Sequence, residues 1–155
     1  KEPYIAIDIF GRCAGEKKEQ LKKDLAGQNG MIRYIGYIDN KKLQELRREY
    51  AYGIIMWTPN NENQYYAAPN KFFESIADGV VPICAPHPQC RKIIEKYDCG
   101  ILMQDWSFES FCESLRFAKK IYMTPRYCEL VKNCEKAFRE ELNWNVQMKE
   151  VEKYL

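Results

Sequence analysis

Short apolar or β-branched runs alternating with amphipathic helical patterns predict an α/β protein. The expected form is a Rossmann-like, doubly wound parallel sheet of about five strands, with helices on both faces and a helical tail at the C-terminus. Two further observations support that class. The runs 52–57 and 80–85 are apolar with little alternation, as expected of strands buried on both faces. The 155 residues, 46% hydrophobic and 30% charged, suffice for one domain, 1–155, around one core.

Composition excludes several function classes. A net charge of +2, from 24 basic and 22 acidic residues spread through the chain, gives no general electrostatic case for nucleic acid. No apolar run approaches the ~20 residues that span a bilayer, and Lys1-Glu2-Pro3-Tyr4 lacks signal-peptide character. Seven cysteines, an odd number falling mostly in predicted strands and helices, point to reduced thiols and a cytoplasmic protein.

The first strand is expected at 4–9, followed by Gly11, Gly15 and a charged helix from about Glu16 with Leu21 and Leu25 inward. Gly27, Asn29 and Gly30 end that helix, and 31–38 form the second strand. Asp39 or Asn40 N-caps a helix carrying Leu43, Leu46 and Tyr50 at helical spacing. The third strand, 52–57, runs into residues 58–64, which have turn chemistry throughout. Glu62 and Asn63 are either sugar contacts or solvated loop residues.

The central stretch is 64–85, read as loop, helix, turn and strand. Ala67 and Ala68 let a ligand approach the backbone, Pro69 presets φ for a helix start, and Gly79 stops the helix. Lys71 is the unusual residue, because a cation in the first turn mismatches the helix dipole by about 0.3–1 kcal/mol. A phosphate at that terminus would reverse the sign, meeting free N–H groups and the Lys71 ammonium together. Glu74 lies a turn further on, where a carboxylate accepts hydrogen bonds from sugar hydroxyls. The competing reading makes Lys71 and Glu74 a solvated pair at i, i+3.

After the fourth strand, 80–85, Pro86-His87-Pro88 turns the chain into a helix at 89–97, and a short fifth strand is expected at 101–103. Cys84, His87 and Cys90 do not amount to a zinc site, which wants four ligands. Asp105 or Ser107 caps the next helix, whose stripe of Phe108, Phe111, Cys112, Leu115, Ala118 and Ile121 is expected to be core. Past Thr124-Pro125 the terminal helices, 126–155, carry Tyr127, Leu130, Val131, Cys134 and Phe138, then Trp144, Met148, Val151 and Leu155.

Ala68-Pro69-Asn70-Lys71-Phe72-Phe73-Glu74 followed by Ala77-Asp78-Gly79-Val80-Val81-Pro82-Ile83 resembles the donor-binding segment of GT-B glycosyltransferases of family four. The branch with Pro-Asn-Lys at this helix start is common among enzymes building bacterial surface polysaccharides. The resemblance implies that Glu74 is the second of two family glutamates separated by seven intervening residues. The first falls on Tyr66, so the acidic residue beside the transferred sugar is absent. It also implies that the backbone at Gly36, Tyr37 and Ile38 meets the nucleotide base, with Tyr37 a surface aromatic on the other reading. The expected donor site is thus Gly36, Tyr37, Ile38, Tyr66, Ala67, Ala68, Pro69, Asn70, Lys71 and Glu74, with His87 bordering the sugar and no catalytic residue assigned. Trp144 and Tyr154 match terminal helices that cross back to the amino-terminal domain.

What the resemblance implies is the C-terminal donor half of a retaining hexosyltransferase. It would bind a nucleoside diphosphate sugar and transfer it to a sugar or lipid-linked sugar, without a metal or other cofactor. The family's amino-terminal acceptor domain lies outside this chain, so these residues alone should be inactive. The whole enzyme is expected in the cytoplasm or peripherally on the inner membrane. With the family's central strand missing, strands 4–9 and 52–57 are expected to close the gap in order 2-1-3-4-5. A GT-B-like epimerase, or a regulatory doubly wound module with Asp8 at its first strand, are the alternatives.

Overall fold

A computed structural model describes residues 5–27 and 30–154. Tyr4, Asn29 and Leu155, which the sequence reading used, lie outside them. The chain divides into two compact units, one through Glu45 and one from Leu46.

The first unit holds β1 (Ile7–Phe10), α1 (Glu16–Ala26), β2 (Ile32–Gly36) and the first turns of α2 (Asn40–Arg47). β1 and β2 run parallel with Asp8 opposite Arg33, whose guanidinium grips the carboxylate through Nε (2.7 Å) and Nη2 (2.6 Å). Asp39 accepts the Lys42 N–H and so caps α2, one of the two caps foreseen.

The second unit follows with β3 (Tyr52–Ile55), α3 (Glu62–Tyr66), α4 (Asn70–Ala77), β4 (Val81–Cys84), α5 (Pro88–Tyr97) and β5 (Ile101–Leu102). It ends with α6 (Phe108–Ile121), α7 (Pro125–Glu140) and α8 (Trp144–Glu152). Its parallel sheet has the order β3-β4-β5. Every residue of β4 is buried, and Phe72 and Ile76 of α4, Ile94 of α5 and Leu130 and Cys134 of α7 complete the core around it.

The α/β class with parallel strands flanked by helices is what the sequence predicts, but the strands form two sheets, β1-β2 and β3-β4-β5. The expected closure of strand one onto strand three is therefore corrected. A central strand of such a sheet is buried on both faces. β1 is only half-buried along its length. It has the burial of an edge.

As expected, α4 starts at Pro69, its N-cap at φ −75°, with Asn70 its first residue. Two local corrections follow. Residues 62–66 are a single helical turn, α3, because the Asn61 side chain accepts the Gln64 N–H and so caps it. On α6 the buried positions are Ser110, Ser114, Ala118 and Ile121, and Phe108 is 72% exposed. Serine replaces an apolar residue there because its hydroxyl is satisfied. Ser110 Oγ accepts from the Gln104 N–H (2.9 Å), and Ser114 donates to the Ser110 carbonyl (2.9 Å).

Candidate functional site

β3, β4 and β5 point their carboxyl ends the same way, and loops at such ends are where doubly wound sheets take ligands. Trp57, just past β3, organises that edge. Its indole N–H donates to the Gln64 carbonyl (3.2 Å), fastening the 58–64 loop, and its ring stacks on His87 with centroids 3.8 Å apart. The Lys71 ammonium lies 5.5 Å from the centre of the same ring. Strand periodicity alone marks Trp57 as a packing residue, with nothing to show that it would touch α3, α4 and the loop after β4.

The N-terminus of α4 is open. Pro69 offers no side-chain cap, and no acidic residue stands in the first turn. The Phe72 N–H turns back to the Pro69 carbonyl (2.9 Å), while the Asn70 and Lys71 N–H groups have no acceptor among the described residues. Partial burial against neighbouring groups lowers the Lys71 ammonium from the ordinary lysine value, the Cys84 thiol opposing it weakly. A cation held partly desolvated at the positive end of a helix is arranged against its own stability and in favour of an anion.

Glu74 is half-exposed on the same helix and is held by Arg47, Nη2 to Oε2 at 2.7 Å. Arg47 Nη1 also reaches Asp78 Oδ2 (2.7 Å), and Arg48 Nε reaches Asp78 Oδ1 (3.1 Å), so the nearly buried Asp78 carboxylate ties both arginines to the end of α4. The arginine leaves Glu74 one unpaired oxygen and fixes its direction, a positioning role that no local pattern disclosed.

Of the expected site residues, the second unit gathers Tyr66, Ala67, Ala68, Pro69, Asn70, Lys71 and Glu74 on α3, α4 and the turn between them. Tyr66, where the resemblance puts a carboxylate, is 59% exposed and packs edge-on against Tyr65. Gly36, Tyr37 and Ile38 belong to the first unit. There Gly36 ends β2 at φ +94° and its carbonyl accepts the Gly11 N–H (2.9 Å). The Tyr37 ring is 59% exposed and carries the Arg12 guanidinium 4.3 Å above it. A glycine is required at that φ, and the next two peptides are freed from the ladder.

His87 is wholly buried. Its Nδ1 lies 3.2 Å from the Tyr65 carbonyl, so that nitrogen carries the proton, leaving Nε2 as an acceptor with no partner. Its neighbour Trp106, with ring centroids 5.7 Å apart, likewise buries an indole N–H that has no acceptor. Two such orphans cost about 1–3 kcal/mol each. Buried Cys84 donates its thiol to the Ala85 carbonyl (3.2 Å), and the neighbouring Cys90 thiol together with burial pushes it well above the ordinary range. Among the described residues no group of three or more His, Cys, Asp and Glu side chains is placed to hold a metal, and no helix is long and apolar enough to cross a membrane.

No protein-family model matches the chain, and no curated protein matches it by sequence. Among solved structures, 97% of the chain superposes on Alr3699/HepE of Anabaena, crystallised in complex with UDP, at a TM-score of 0.75 and 11% identity. The chain spans 41% of that structure's length. The chain thus shares the fold of that part of HepE.

Proposed function

We propose that the chain is the donor-binding part of a retaining glycosyltransferase that uses a nucleoside diphosphate sugar, in the assembly of bacterial surface polysaccharide or glycolipid. The observation that carries this is the N-terminus of α4: uncapped, free of acid, and bearing the partly desolvated Lys71 at the carboxyl end of a parallel sheet. A diphosphate supplies the missing anion. Lys71 and the two free N–H groups then offset the charge that develops on the leaving group, an electrostatic stabilisation by fixed donors. Glu74, aimed by Arg47, holds the ribose hydroxyls. Uridine is the first base to test, since HepE of Anabaena was crystallised with UDP. The regulatory reading loses its footing, because Asp8 is already gripped by Arg33.

Isothermal calorimetry of the protein with UDP, UMP and uridine tests the proposal. Binding that strengthens with each added phosphate is expected; uridine binding as tightly as UDP would rule out a diphosphate site at α4.

A further inference from the structure

Beside the proposed donor site a separate cleft of about 490 Å³ opens between the loop after β4, one face of α5 and the loop after β5. That volume falls within the ~300–1,000 Å³ of small-molecule sites and is far larger than a lone inorganic anion needs. Its apolar wall consists of Tyr65, Pro86, Pro88 and Trp106, the two aromatic rings lying 5.8 Å apart at a 40° tilt. Its polar wall is Arg91, Lys92, Glu95 and Gln104. Helical spacing brings Pro88, Arg91, Lys92 and Glu95 onto a single face of α5.

We propose that this cleft binds an anionic saccharide, a sugar ring bearing a carboxylate or a phosphate. Three features converge on that chemistry. Among the described residues Arg91 has no ion pair, and its planar fork suits a carboxylate or phosphate. α5 adds to the positive potential, since His87 gives no side-chain cap and no acidic residue stands in the first turn. The rings and prolines offer an apolar surface for the C–H face of a sugar, with Glu95 and Gln104 placed for hydroxyls.

The fourth feature is Trp106, which lines the cleft and buries an indole N–H with no acceptor. A hydroxyl is the simplest group that answers it, accepting from the indole. The N–H is shielded, so a ligand reaches it only as the Trp106 indole turns. Binding in the cleft does not depend on the donor reading.

The test titrates the protein with glucuronate, glucose 6-phosphate, glucose and inorganic phosphate, followed by ligand-observed NMR and tryptophan fluorescence, each with and without saturating UDP. Glucuronate and glucose 6-phosphate separate the two sources of charge, and binding by either one supports the proposal. The anionic sugar should bind about tenfold more tightly than glucose or phosphate and perturb the fluorescence. Arg91→Ala should remove that advantage, and Trp106→Phe should weaken binding and abolish the fluorescence change in a protein whose circular dichroism is unaltered. Competition by UDP, equal binding of inorganic phosphate, indifference to Arg91→Ala, or no binding of either anionic sugar would overturn it. Failure of UDP to bind, with the saccharide still bound, would remove the donor reading and support the cleft.

Discussion

Lys71 faces two opposed effects of similar size. Its charge mismatches the α4 dipole by about 0.3–1 kcal/mol, while the Trp57 ring returns about 0.5–1 kcal/mol as a cation–π contact. Lys71→Ala should therefore leave the melting temperature nearly unchanged and weaken UDP about tenfold, with little change for uridine. Calorimetry beside thermal denaturation separates the two. The same ammonium predicts a pH dependence. The charged form binds the diphosphate and its pKa is lowered, so affinity is full at low pH and falls as pH rises through a value below 10.5. A titration of UDP affinity with Lys71→Ala as the flat control would show it. The two partners of Arg47 should also behave differently. Glu74→Ala removes a half-exposed pair and costs under ~1 kcal/mol of stability while weakening nucleotide binding. Asp78→Ala removes the nearly buried carboxylate, leaves Arg47 only its Glu74 partner, and costs about 1–3 kcal/mol by urea unfolding.

At the scale of elements, β3 and α4 approach so closely that a Cβ on Gly53 would stand 2.6 Å from Ser75 Oγ. That hydroxyl is occupied in donating to the Lys71 carbonyl (2.7 Å), so it cannot simply turn away. Gly53→Ala should cost about 1–3 kcal/mol, and Ser75→Gly in the same protein should recover part of it, a coupling that urea titrations of the double-mutant cycle measure. Which elements were legible in the sequence follows the range of the forces that make them. Periodicity and cap chemistry act over a few residues, and they gave the alternation of strands and helices and the open start of α4. The grip of Arg47 on Glu74 and Asp78 spans 27 and 31 residues, and no local pattern encodes it. On α6, hydropathy favoured Phe108 over Ser110, because the partner that satisfies the serine sits in a preceding loop. Trp57 was legible as apolar, but its contacts to α3, α4 and the loop after β4 were not.

For the whole molecule the distribution of burial matters more than the list of elements. The described residues of the first unit include none that is fully buried, whereas β4 is buried throughout. Native-state hydrogen exchange should therefore rank the ladder amides of β4 among the slowest and those of β1 and β2 orders of magnitude faster. Comparable protection in both would contradict this. Pairing between distant strands is also where the sequence misled, since an apolar run announces a strand without naming its neighbour. The seven thiols, all free, sample this gradient: Cys128 is exposed, Cys13 and Cys112 are intermediate, and Cys84, Cys90, Cys99 and Cys134 are buried in the second unit. A thiol reagent should thus meet one fast sulfur, two slower ones, and four that react only when the core opens. The protein carries its own clock for global unfolding, readable without a label, and a nucleotide that stabilises the second unit would slow just that last phase.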